Sequence, residues 1–143
     1  MNEFTKKWVV ALRSGKYKQG KGVLRNEKDE FCCLGVACDL YIKEFGGDAW
    51  QRCSAGQGIY KFLADGADPI AFLAPSVRDR LGLASLSGKY YMELGGSSLI
   101  IINDDGWSFK KIADLIESEP DGLFATEESR TIVSTEKGDE HHG

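Results

Sequence analysis

Phe4, Trp8, Val9 and Leu12 recur at spacings of four, one and three, which puts them on one face of a helix over residues 4–13. Ser14-Gly15 stops that helix, and Thr5 offers a capping hydroxyl at its start. Val23-Leu24 and Phe31-Cys32 then flank five polar residues, Asn26-Glu27-Lys28-Asp29-Glu30, and predict a two-stranded ribbon over 16–32. Residues 33–45 are apolar almost all round, with Asp39 and Lys43 spaced i, i+4 on a narrow polar side. A helix of that composition belongs inside the domain, and Gly46-Gly47 closes it.

The pattern is weaker over 48–74, where Trp50, Ile59, Tyr60, Phe62 and Phe72 need burial but keep no period. Short strands at 59–63 and 70–73 are expected on either side of the turn Asp65-Gly66-Ala67-Asp68-Pro69. A short helix follows over 75–83, with Pro75 in its first turn and Gly82 at its C-terminal cap. Residues 89–102 read as a hairpin: Tyr90–Leu94 and Leu99–Ile102 flank Gly95-Gly96-Ser97-Ser98, and the aliphatic second arm predicts a strand buried on both faces. Ser108 then caps a helix over 108–118, with Phe109, Ile112, Ala113 and Ile116 at helical spacing. The expected fold is α+β, with an antiparallel sheet of four or five strands around one buried helix and two flanking helices. Residues 1–124 form a single compact domain in this reading. Residues 125–143 form an acidic tail, mostly disordered or peripheral, in which Thr131-Ile132-Val133 is a candidate edge strand.

Composition narrows the function classes. At 143 residues the chain can build a full core without metal or disulfide help. No apolar run approaches the ~20 residues of a membrane span, and the start lacks the apolar segment of a signal peptide, so a cytoplasmic protein with no membrane partner is expected. The four cysteines, Cys32, Cys33, Cys38 and Cys53, form no C-x-x-C pair, and the two histidines, His141 and His142, lie in the last three residues. No metal and no cofactor are expected. The net charge of −4 is uneven: seven of the 18 basic residues and no acidic one fall between Phe4 and Asn26. A basic segment on an acidic body suits an anion-binding face, whereas so acidic a chain makes general nucleic-acid binding an unexpected role.

Three stretches carry a family resemblance. They are Gln19-Gly20 with Leu24-Arg25; Cys32-Cys33-Leu34-Gly35-Val36-Ala37-Cys38-Asp39-Leu40; and Ile102-Asn103-Asp104-Asp105-Gly106 followed by Ser108-Phe109 and Ile112-Ala113-Asp114-Leu115-Ile116-Glu117. With Pro75, Val77, Leu81, Gly82 and Leu83 between them, this order resembles a small uncharacterised phage and prophage protein family bearing a CCLGVxCDL helix and an LNDxGxSFxxIAxxIE segment. It is also distantly similar to a bacterial domain of unknown function. The resemblance spans roughly residues 5–118. It implies one compact domain and a phage-related origin, in an infected or lysogenic bacterium, and transfers no catalytic residue.

The candidate ligand-binding residues are Gln19, Lys21, Arg25, Asn103 and Asp104. Asn103 and Asp104 stand between an expected strand end and a helix N-terminus, where ligands often gather, and equally where an Asx turn redirects a chain. Gln19-Gly20-Lys21-Gly22 can cradle an oxyanion or simply form a bulge. Lys18, Lys21 and Arg25 are expected to face the Asn103-Asp104 turn across one concave surface. Cys32 and Cys33 are the alternative catalytic residues, because a helix N-terminus lowers a thiol pKa, but no histidine base accompanies them in the body of the chain. The leading expectation is non-catalytic binding of a host protein, or of a small anionic, nucleotide-like ligand, in a counter-defence role. A small cysteine-dependent hydrolase or transferase is the second reading, and a structural or assembly subunit the third. Oligomeric state is left open.

Overall fold

The computed structural model describes residues 1–46, 50–53, 59–63 and 69–126. All of the expected turn over 65–69 except Pro69, and the expected edge strand at 131–133, lie outside the described residues. Among those described, five helices and three two-stranded sheets form one α+β arrangement around a continuous set of buried apolar side chains. Helix α1 spans Glu3–Arg13, α2 Cys33–Phe45, α3 Pro75–Leu81, α4 Leu99–Asp104 and α5 Phe109–Glu117. Strands β1 (Lys18–Gln19) and β2 (Glu30–Phe31) pair in parallel. Strands β3 (Trp50–Arg52) and β4 (Tyr60–Phe62) pair antiparallel, as do β5 (Lys89–Met92) and β6 (Gly95–Ser98).

Helix α1 buries Phe4, Trp8, Val9 and Leu12, the face read from their spacing. Its cap is Asn2 rather than Thr5: the Asn2 carboxamide oxygen accepts from the Thr5 N–H at 2.8 Å, and Thr5 sits one turn inside. The Thr5 hydroxyl, fully buried, donates to the Leu81 carbonyl at 2.7 Å and so ties α1 to α3. Helix α1 also packs against α5 and α2, and Arg13 forms ion pairs with Asp114 and Glu117 of α5.

Helix α2 is buried from Cys33 to Cys38 and emerges over its second half, where Phe45 is exposed. The Leu24 segment crosses its first turns at close range. A Cβ on Gly35 would stand 2.7 Å from the Leu24 carbonyl carbon, so only glycine admits the crossing.

The single antiparallel sheet is replaced by three separate ribbons, for two local reasons. Residues 16–32 form the expected ribbon only about its turn, where Arg25 and Phe31 make an antiparallel bridge, Asn26 N–H donates to the Glu30 carbonyl at 3.0 Å and Cys32 N–H to the Leu24 carbonyl at 3.3 Å. Leu24 is fully buried, its N–H donates to the Ile70 carbonyl at 2.7 Å, and the Arg25 carbonyl accepts from Tyr60 N–H at 3.0 Å. This segment is thus also held by residues outside it, and its first arm, Lys18–Gln19, runs parallel to Glu30–Phe31. The aliphatic run at 99–102 is a helix, not a strand. Strand β5 turns at Glu93-Leu94, so Met92 faces Gly95 and the second arm is used up at Ser98. The Ser98 hydroxyl oxygen then accepts from Ile101 N–H at 3.2 Å and caps α4. Leu99, Ile102 and Asn103 point inward at helical spacing, and Ile101 points out. The expected strand at 70–73 is also absent: the Ile70 carbonyl accepts from Leu24 N–H at 2.7 Å and Leu73 N–H donates to the Leu86 carbonyl at 2.9 Å.

Candidate functional site

Asn103, fully buried at the inner face of α4, bonds to three separate segments of the chain. Its Oδ1 accepts from Gln19 Nε2 at 3.0 Å and from the Cys33 backbone N–H at 3.1 Å. Its Nδ2 donates to the Gly20 carbonyl at 2.8 Å. Gln19 Nε2 donates again to the Trp107 carbonyl at 2.7 Å, and Asp104 Oδ1 accepts from Gly22 N–H at 2.9 Å. Cys32, the N-cap residue of α2, offers no side-chain acceptor, so Asn103 supplies one from 70 residues along the chain. The three stretches that carry the family resemblance therefore converge on one clasp of mutually satisfied polar groups.

Of the five sequence-predicted ligand residues, Gln19, Asn103 and Asp104 meet in this clasp. Lys21 accompanies them: a Cβ built on Gly106 would lie 3.8 Å from its Nζ. Arg25 is engaged elsewhere. Its guanidinium lies 4.0 Å from the Tyr60 ring centroid and 5.5 Å from those of Phe31 and Trp50, and it pairs with Asp29 at 2.7 Å. Lys18 pairs with Glu30 at 3.5 Å. Three expected cations thus have three different surroundings. The aromatic stack drew Arg25 away because a planar guanidinium packs on ring faces while still reaching a carboxylate.

The thiols sit in an environment opposite to that of a nucleophile. Cys32, Cys33 and Cys38 are buried. Burial pushes the Cys32 thiol up to about 11 and those of Cys33 and Cys38 well above the ordinary value, outweighing the amides at the start of α2. Cys33 behaves as a small core residue whose thiol faces the Leu99 carbonyl at 3.7 Å. Among the described residues, no three His, Cys, Asp or Glu side chains converge as a metal site would require. No described helix is long and apolar enough to cross a membrane.

A surface groove of about 420 Å³ between α1 and α2 was not legible as a site in the sequence. Lys6, Lys7, Lys16 and Lys43 stand around a floor that includes Val10 and Leu40. One signal did exist: Val10 is apolar but out of phase with the buried face of α1, and it is 67% exposed. At the same end, Asp39 accepts from Tyr17 Oη at 2.6 Å and Trp50 Nε1 at 3.2 Å, and pairs with Lys43 at 3.0 Å. Burial raises the Asp39 carboxyl pKa, but these three donors prevail and hold it below its ordinary range.

No curated protein and no solved structure matches the chain. Residues 1–120 match the model of a domain of unknown function, DUF8296, and the match takes in α1 through α5 and the Gln19–Asn103 clasp. The chain belongs to the DUF8296 family.

Proposed function

We propose that this chain is a phage-type accessory protein that acts by non-catalytic binding, masking a surface of a host protein in a counter-defence role. The observation that carries the reading is the lysine-rimmed groove between α1 and α2, a concave surface whose floor is apolar and open to solvent. Two further features favour binding over chemistry. Asn103 uses its carboxamide within the clasp, which favours a structural role for it. The buried thiols stay protonated at neutral pH, which disfavours the hydrolase or transferase alternative. The phage association rests on the sequence resemblance, and host masking follows from that association together with the groove.

Two measurements test the proposal. Native mass spectrometry of the full chain recovered from its own host should show a stoichiometric complex with a second protein. Iodoacetamide at pH 7 should leave Cys32, Cys33 and Cys38 unmodified in the folded protein and reach them only in denaturant. Rapid labelling of Cys32 or Cys33 in the folded state, with activity on a thioester or peptide substrate, would overturn non-catalytic binding in favour of cysteine chemistry.

A further inference from the structure

We propose that the groove between α1 and α2 receives an acidic amphipathic helix of a partner protein, an inference that rests on the binding function above and names its partner class. The argument begins with charge. Outside Phe4–Asn26 the chain carries 11 basic and 22 acidic residues, whereas Lys6, Lys7 and Lys16 of the groove come from Phe4–Asn26, which holds seven basic residues and no acidic one. An acidic partner is therefore attracted to this surface and repelled by the rest of the molecule.

The rim has an arrangement that selects among acidic partners. Lys6 pairs with Glu3 at 3.2 Å, Lys7 with Glu44 at 2.9 Å and Lys43 with Asp39 at 3.0 Å, while Lys16 has no carboxylate partner among the described residues. The Lys6 and Lys7 pairs lie at the surface, where ion pairs hold weakly and exchange partners readily, whereas Lys43 is anchored by the partly buried Asp39. The interspersed carboxylates oppose a uniform polyanion such as a nucleic-acid backbone or an anionic membrane. They tolerate a peptide whose acidic groups are spaced along its flanks. Tyr17 is not free to act as a stacking platform, because its hydroxyl is held by Asp39 and Lys43 Nζ lies 5.2 Å from its ring centroid. The floor favours a helix. Val10 and Leu40, on two neighbouring helices, offer a narrow apolar strip that takes the i, i+3 and i+4 side chains of a third helix, with lysine stems extending the contact on both sides.

Selection of displayed random 16-residue peptides against the full chain tests the assignment without choosing the sequence in advance. Enriched peptides should place Asp or Glu beside apolar residues at helical spacing. The best of them should bind at least tenfold more weakly to Lys16→Glu and to Val10→Glu. Both positions are exposed, and circular dichroism should confirm that both variants fold. Binding should also weaken as salt rises. Peptides without acidic enrichment, acidic peptides that ignore both substitutions, or no enrichment at all would overturn the assignment. So would stronger Lys16-dependent binding of a 20-mer oligonucleotide or of phosphatidylserine vesicles. If a protein co-purifies from the host equally well with wild type and both variants, the groove assignment fails and the binding function stands. If neither a co-purified protein nor a peptide is found, both fail.

Discussion

Asn103 shows how one side chain holds distant segments at fixed positions. Its carboxamide serves Gln19, Gly20 and Cys33 at once, in a site closed to water. Truncation leaves the Cys33 N–H and the Gly20 carbonyl without partners, and each such buried group costs about 1–3 kcal/mol. Asn103→Ala should therefore destabilise the fold by roughly 3–5 kcal/mol, a large share of the ~5–15 kcal/mol typical of a domain. Urea denaturation would measure it. Gln19→Ala removes only a partly buried donor and should cost about 1–2 kcal/mol. Equal effects of the two substitutions would show that the clasp is not centred on Asn103. The cysteines give the complementary lesson. Placement at a helix N-terminus favours a thiolate, but complete burial penalises the charge more.

At the scale of elements, two close approaches determine where the chain goes. Helix α2 meets the Leu24 backbone at Gly35, and the tolerance there is smaller than a methyl group. Gly35→Ala would add helix propensity in a free peptide yet must displace either α2 or the Leu24 segment here. The expected outcome is a loss of more than about 3 kcal/mol, read as a collapse in melting temperature or in soluble yield. An unchanged melting temperature would mean that the crossing is looser than described. The second approach is Gly88 against Leu99, where a Cβ would lie 2.7 Å from the leucine side chain. It seats the start of α4 beside β5, and Leu99 N–H donates to the Gly88 carbonyl at 3.0 Å. That bond extends the β5–β6 register by one pair, up to the residue where α4 begins.

For the molecule as a whole, the Tyr17–Asp39–Lys43–Trp50 network joins the loop after α1, helix α2 and strand β3. It also gives stability a definite dependence on pH. Asp39 is held below its ordinary range, so its contribution is present above the unfolded pKa of about 3.9 and is lost as pH falls through the lower folded value. Tyr17 is shifted upward, by burial first and by the Asp39 hydrogen bond next. Lys43 is shifted upward by its hydrogen bonds to Tyr17 and Asp39. Their contributions are present below the unfolded values of about 10 and are lost as pH rises through the folded ones. Stability should fall at both ends of a window from about pH 4 to 10. Asp39→Asn should lower the denaturation midpoint at pH 7 and flatten its decline below pH 4. A variant with the same acid slope as wild type would remove Asp39 from that account.

The sequence by itself determined the long-period features: the buried face of α1, the apolar start of α2 with its glycine stop, the capped α5, and a proline-led α3 ending at Gly82. Those depend on interactions within three or four residues, which one chain segment carries alone. It also singled out Gln19, Asn103 and Asp104, although not what they bond to. Tertiary structure decided the rest. Whether Leu99–Ile102 is strand or helix depended on where β5 turns, which leaves Ser98 to cap α4. Residues 24–32 pair about the turn read from the sequence, whereas the parallel course of Lys18–Gln19 beside Glu30–Phe31 and the bonds to Ile70 and Tyr60 were not legible. The groove between α1 and α2 arises only when two helices are laid side by side, so the sequence offered an out-of-phase Val10 and a basic segment but not the surface that they form. Local pattern specifies how a segment folds, while pairing partners and concave surfaces depend on contacts between residues far apart in the chain.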